Sequence, residues 1–148
     1  MILHAGLVAL RAGGGWKGAL ILGSSGAGKS DLMLRAMEQG LRLVADDRTV
    51  VWASGGRLYG RAPEPLAGLI EVRGLGVLED QAHLPLAEVV VVAHCEAKGA
   101  ALERLPEPAA ECFEGVSVPA LRLGALEASA PAKLGRALWR LGQGRRGA

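Results

Sequence analysis

Aromatic residues are scarce: three Trp, one Tyr and one Phe make up 3% of the 148 residues. The core must then be aliphatic, built mainly from Leu, Val, Ile and Ala, within a hydrophobic total of 50%. The shortage of rings also argues against a nucleic-acid partner, because base stacking needs aromatics interleaved with basic residues. Cysteines number two, Cys95 and Cys112, and neither lies in a C-x-x-C pattern. They make no disulfide framework and fit a reducing cytosol. No apolar run approaches the roughly 20 residues that span a bilayer. An excess of one charge is missing too, since 17 basic groups face 15 acidic ones for a net +2. Positive charge gathers only at Arg136, Arg140, Arg145 and Arg146, as a solvated helix face with a tail or as a contact for an acidic partner. The N-terminus has no basic n-region and breaks at Gly13, which reads as a strand and not a signal peptide. The expectation is a soluble, cytoplasmic protein with no membrane partner, forming a single domain over residues 1–148.

Glycine is abundant instead, at 22 residues, about twice the usual share of roughly 7%. With no collagen-like period, these glycines serve turns and loops. Ile2–Leu10 is rich in strand formers and Gly13–Gly15 follows as a turn. Gly18–Leu22 reads as a short buried strand, and a helix runs from about Ser30 to Gln39 with Gly40 in the C′ position. Leu41–Ala45 is a second buried strand. Thr49–Ala53 and Arg57–Arg61 flank Ser54-Gly55-Gly56, a hairpin signal. Ala62–Gly68 is a proline-interrupted loop, Leu69–Arg73 a strand, and Gly74–Gly76 a flexible loop. Leu86–Ala93 is Val-rich enough for a central strand, Val116–Leu123 reads as another, and Ala132–Leu141 carries leucines at helical spacing. The class is α/β.

Residues Gly23, Ser24, Ser25, Gly26, Ala27, Gly28, Lys29 and Ser30 fit G-x-x-x-x-G-K-[ST] in full. Each part has a physical task. Glycines let successive N–H groups turn inward toward phosphate oxygens, and the following helix presents its positive dipole end to the same oxygens. Lys29 reaches the β- and γ-phosphates, and the Ser30 hydroxyl ligates magnesium. A buried strand before and a helix after are the context that this motif demands.

Leu41–Asp46 is an apolar strand ending in a carboxylate, the form of a Walker B element. A strand–helix–strand crossover should set the two strands parallel, with both C-termini on one edge. That would bring Asp46 and Asp47 near Lys29 and Ser30. One carboxylate can hold magnesium and the other can accept the proton of an attacking hydroxyl. A strand-terminal pair capping a turn is the alternative.

The segments Gly23–Asp31, Leu43–Arg48 and Ile70–Leu78, in this order and spacing, resemble the catalytic domain of HPr kinase/phosphorylase. The last, with Glu71-Val-Arg-Gly-Leu-Gly76, is the most specific, and the resemblance runs from His4 to about Leu123. It implies a P-loop fold of the HPr kinase and PEP-carboxykinase-like type, a mixed sheet with flanking helices. It also implies a short form without the family's separate N-terminal domain, as in some Gram-negative bacteria. The implied activity is ATP- and Mg2+-dependent phosphorylation of a serine on an HPr-like phosphocarrier, with phosphorolysis of the product in many members. A homo-oligomer is implied as well, the family forming hexamers.

Placed on this sequence, the resemblance makes Lys29 the phosphate-binding lysine and Ser30 a magnesium ligand. Asp47 becomes the carboxylate that takes the serine proton, Asp46 its acidic neighbour at the metal, and Glu71 a second metal ligand. Arg104 resembles a catalytic arginine, and His4 the histidine near the active Asp. Each has a plainer alternative: a surface strand residue for Glu71, a salt bridge to Glu103 or Glu107 for Arg104, a core histidine for His4. Arg73 either pairs with Glu71 or contacts phosphate. His83 and His94 have no ligand-spaced partners. At Arg122–Leu126 the arginine and asparagine of the family's dephosphorylation stretch are missing, which puts phosphorolysis in doubt. A P-loop kinase for a small molecule and a non-catalytic nucleotide sensor are the rival readings. No evident lid weighs against the first, and the paired carboxylates weigh against the second.

Overall fold

The computed structural model describes residues 1–24, 26–80, 82–97 and 99–144. Ser25, Arg145 and Arg146, singled out above, lie outside the described residues. The strands are β1 (Ile2–Leu3), β2 (Gly6–Ala12), β3 (Gly15–Leu22), β4 (Arg42–Ala45), β5 (Thr49–Ser54) and β6 (Arg57–Arg61). They continue with β7 (Leu69–Val72), β8 (Gly76–Glu79), β9 (Ala87–Glu96), β10 (Ala109–Phe113) and β11 (Val116–Gly124). The helices are α1 (Lys29–Glu38) and α2 (Ala130–Gln143), with one 3₁₀ turn at Glu64–Leu66.

Nine strands form a mixed sheet in the order β1-β5-β6-β9-β3-β2-β4, and β11 joins at β9 with β10 outside it. Strand β9 is its centre. Of its ten residues, those from Glu88 to His94 pair with β3 in parallel along one edge. The other edge is shared, antiparallel β6 taking residues 87–89 and parallel β11 taking residues 92–96. The Val-rich run suits this place, because a strand covered on both faces must be apolar without alternation. Two cores result. Ile21, Val91, Leu32, Met33, Leu134 and Leu138 fill the space under the helices. Leu7, Leu20, Val51, Leu58, Val92 and Val118 fill the opposite face.

Helix α1 ends as its sequence predicts. The Gly40 N–H donates to Met37 O and the Leu41 N–H to Ala36 O, the paired bonds of a glycine-terminated helix. Gly40 takes φ 101° to make them. Helix α2 begins two residues earlier than the leucine spacing suggests, with a proline in its first turn, where a missing N–H costs nothing.

Three expectations are corrected. Ile2–Leu10 is two strands, broken at His4-Ala5, because β1 pairs with β5 whereas β2 pairs with β3 and β4. Strands β3 and β4 do run parallel, but antiparallel β2 lies between them. The supposed loop Gly74–Gly76 is the turn of a separate two-stranded hairpin, β7–β8, whose Ile70 reaches the helix-side core.

Candidate functional site

Strands β3, β9 and β11 are parallel, so Leu22, Glu96 and Gly124 all end on one edge of the sheet. The loop from Gly23 to Gly28 leaves β3 at that edge and enters α1 at Lys29. Gly23 is required by close approach to backbone, and Gly28 by its left-handed conformation. A Cβ on Gly23 would lie 2.9 Å from Cys95 O, and one on Gly28 would lie 2.8 Å from Leu126 Cδ2. Gly28 holds φ 90° as the residue that caps α1. Between them Ser24 O accepts from the Ala27 N–H at 3.0 Å, and exposed Gly26 has open space above it. Lys29 Nζ folds back over the loop and donates to Gly23 O at 2.6 Å and Ser24 O at 3.3 Å. The ammonium group thus already lies over the cradle.

Strand β4 delivers Asp46 to the same edge. Ser30 Oγ donates to Asp46 Oδ1 at 3.1 Å, and the Glu71 N–H donates to Asp46 Oδ2 at 2.9 Å. One carboxylate therefore ties the first turn of α1 to the β7–β8 hairpin. Burial is the largest influence on it and raises its pKa above the usual carboxylate value. The bonds from Glu71 N and Ser30 oppose that shift, and the nearby charges of Asp47 and Glu71 add to it. The side chain of Glu71 is exposed.

Asp47 is exposed and sits in the left-handed region at φ 66°, a conformation uncommon outside glycine but tolerated best by Asp and Asn. Its Oδ1 lies 2.6 Å from His4 Nε2, and its Oδ2 accepts from Arg48 Nη1 at 2.9 Å. The bend at His4-Ala5 between β1 and β2 is what sets His4 there. His4 is exposed and partnered, which removes the core-histidine alternative.

Two residues stand apart. Arg104 lies on the exposed stretch between β9 and β10, and among the described residues it makes no ion pair with Glu103 or Glu107. Among the described residues, no hydrogen bond or ion pair joins it to the P-loop or the aspartates. Arg73 opens the β7–β8 turn, exposed, without a bridge to Glu71 among the described residues. His83 is occupied structurally, its Nδ1 lying 2.8 Å from Asp80 O.

Sequence reasoning passed over Arg48 and Arg35. Arg48 directly follows the aspartates, and its position beside Asp47 was a usable signal. Arg35 Nε donates to Asp31 Oδ2 at 2.9 Å, and its Nη1 and Nη2 donate to the carbonyls of Glu127 and Ala125. The Asp31–Arg35 spacing of four was visible in sequence, but the tertiary bonds were not.

Several known proteins are similar to this chain. A sequence model of the HPr serine kinase C-terminal domain matches residues 3–122. The HPr kinase/phosphorylase of Limosilactobacillus reuteri is 34% identical over 131 residues, covering 82% of this chain and 39% of that protein. The HPr kinase/phosphorylase of Brevibacillus brevis is 48% identical over 62 residues, 41% of this chain and 20% of that protein. The chain thus spans well under half the length of these relatives. The structure of the Hpr(Ser) kinase/phosphatase from Coxiella burnetii shares the fold, with a TM-score of 0.78 at 24% identity over 93% of this chain and 95% of that one. With residues 3–122 matched, the chain belongs to the HPr serine kinase C-terminal domain family.

Proposed function

We propose that this chain, acting as one kinase domain, transfers the γ-phosphoryl group of ATP to a serine of an HPr-like phosphocarrier protein in the cytoplasm. The observation that carries the reading is Asp46 joining Ser30 to the β7–β8 hairpin, with Asp47 beside it in the left-handed conformation. Family membership supports the substrate class, and a homo-oligomer is the assembly that the family suggests.

The residues fit a divalent cation. Asp46 is drawn partly out of water, which disfavours its charged form, and a cation would offset that penalty. Among the described residues no three His, Cys, Asp or Glu side chains converge. That suits magnesium, which uses one or two carboxylates, phosphate oxygens and its own waters. Ser30, Asp46 and Glu71 would hold it, and it would neutralise phosphate charge during transfer.

The loop from Gly23 to Gly28 and the N-terminus of α1 receive the phosphates through backbone N–H groups. Lys29 exchanges the Gly23 and Ser24 carbonyls for phosphate oxygens. Asp47 accepts the proton of the serine hydroxyl as its oxygen bonds to the γ-phosphorus. The bond from that phosphorus to the bridging oxygen breaks, and ADP leaves. His4 and Arg48 fix the Asp47 carboxylate, so little reorganisation is needed when the serine arrives. Such transfer needs positioning and charge neutralisation above all.

The test supplies γ-labelled ATP, Mg2+ and a purified HPr-like carrier, and maps the label by mass spectrometry. Label on a carrier serine, absent when EDTA is added, is expected. ATP binding with no transfer to the carrier would overturn the assignment and favour a sensor or another substrate.

A further inference from the structure

A cleft of ≈ 160 Å³ opens beside the P-loop, between the segment after β9 and the turn after β11. Its apolar lining includes Ala97, Ala100, Leu102 and Leu126, and Glu96 and Glu127 supply carboxylates. Glu96 and Gly124 are direct partners across the β9–β11 ladder, so the cleft lies on the sheet edge from which the P-loop also leaves. Leu126 connects the two. Its Cδ2 and Cγ lie 2.8 and 3.3 Å from where a Cβ on Gly28 would stand. Yet Leu126 remains 48% exposed, so an apolar face beside the phosphate cradle is left open to solvent.

The volume is below the roughly 300 Å³ of a pocket for a whole small ligand, so the cleft takes part of one. Its charge indicates which part. Arg122 holds Glu96 below the usual carboxylate range through its hydrogen bond, and Glu127 is bridged by Lys133 at 2.9 Å. Each of these cations is thus taken by a carboxylate, which leaves neither of them free to hold a phosphate, while the remaining carboxylate oxygens can accept from hydroxyl or amino groups. An uncharged, flat, partly apolar group bearing such donors is the complement, and it must be joined to the phosphates next door.

Resting on the kinase reading above, we infer that this cleft receives the nucleoside end of ATP, with Leu102 and Leu126 as apolar faces for the base. Arg35 is the positioning residue. Its bonds to the carbonyls of Ala125 and Glu127 fasten the Leu126 turn to the helix that carries Lys29 and Ser30. The P-loop and the cleft wall are thereby held at a fixed separation.

The experiment compares calorimetric binding of ATP with that of inorganic tripolyphosphate, both with Mg2+, in the wild type, Leu102→Ser and Leu126→Ser. Both leucines lie outside the buried core, and circular dichroism checks each fold. The wild type is expected to bind ATP more tightly than tripolyphosphate. Each variant is expected to lose ATP affinity by about tenfold, the scale of one good apolar contact, with tripolyphosphate affinity unchanged. Leu102→Ser is decisive, because only Leu126 is seen against Gly28. Unchanged ATP affinity in Leu102→Ser, or equal loss of both ligands, would overturn the cleft assignment and leave the P-loop reading standing. A wild type that binds neither ligand would overturn the kinase reading itself, and the cleft assignment with it.

Discussion

Adjacent carboxylates at the end of β4 are placed for different work. Asp46 faces inward and bonds Ser30 and the Glu71 backbone, whereas Asp47 faces outward to His4 and Arg48. Burial raises the pKa of Asp46, so this group binds its proton more tightly in the folded protein than in the unfolded one. Its contribution to stability is then full in acid and is lost as pH rises above the ordinary carboxylate range. Asp46→Asn removes that loss and keeps both hydrogen bonds, because the amide accepts from Glu71 N–H and donates to Ser30 Oγ. At pH 7 without metal, the variant should unfold thermally at or above the wild-type midpoint, while its magnesium affinity falls about 10–100-fold. Asp47→Asn should keep ATP–Mg2+ binding and lose transfer by about 10²–10⁴-fold, the range for a positioned base. Single-turnover rates across a magnesium series separate the two. Metal dependence lost in the Asp47 variant and kept in the Asp46 variant would reverse the assigned roles. The pair was legible in sequence because an apolar strand ending in carboxylates needs only local pattern. The inward and outward division was not, since it depends on a hairpin 25 residues further along the chain.

Among the elements, the β3–loop–α1 unit carries its instructions locally, in glycines, one lysine and a helix stop. The sequence reading places α1 to within one residue at each end and the end of β3 at Leu22, but starts β3 three residues late, at Gly18 instead of Gly15. Strands β8 and β10 were missed for the opposite reason. All four residues of β8 are exposed, and only Phe113 of β10 is buried, so neither shows the alternation of a half-buried strand. The β10–β11 turn did carry a signal in Glu114-Gly115, both at positive φ, as tight hairpins require. The end of β11 bears on whether the proposed kinase would also run in reverse. Phosphorolysis must hold an inorganic phosphate in line with phosphoserine, which needs extra positive charge. Arg122, the arginine of this segment, already pairs with Glu96 at 2.6 Å, and Ala125 and Leu126 bring no charge. With phosphoserine carrier, millimolar phosphate and no nucleotide, pyrophosphate should appear far more slowly than the forward reaction proceeds. Comparable rates would show that another cation serves this step.

Across the whole molecule, the sheet gathers the P-loop, the aspartates and the cleft on a single edge. Central β9, parallel to both β3 and β11, gives that edge its width, while β2 lies between β3 and β4 and sets the Asp pair to one side of the loop. No sequence pattern announces an antiparallel strand between two parallel ones, because such order rests on long-range pairing. A buried Lys17–Glu88 bridge at 2.9 Å joins β3 to β9. Its two residues lie at the start of their strands, away from the edge where ligands would bind, which leaves chemistry and scaffold at separate ends. The central proposal is that this edge binds a triphosphate. Calorimetric titration of Mg2+–ATP into the wild type and Lys29→Ala tests it most directly, with far-ultraviolet circular dichroism to confirm the fold of each. Lys29 is only half-buried and bonds loop carbonyls, so its loss should spare the fold. The wild type should bind, and the variant should lose binding by about 100-fold or more, the cost of removing a cation that meets two phosphates. Equal affinities in the two proteins would contradict the account at its centre.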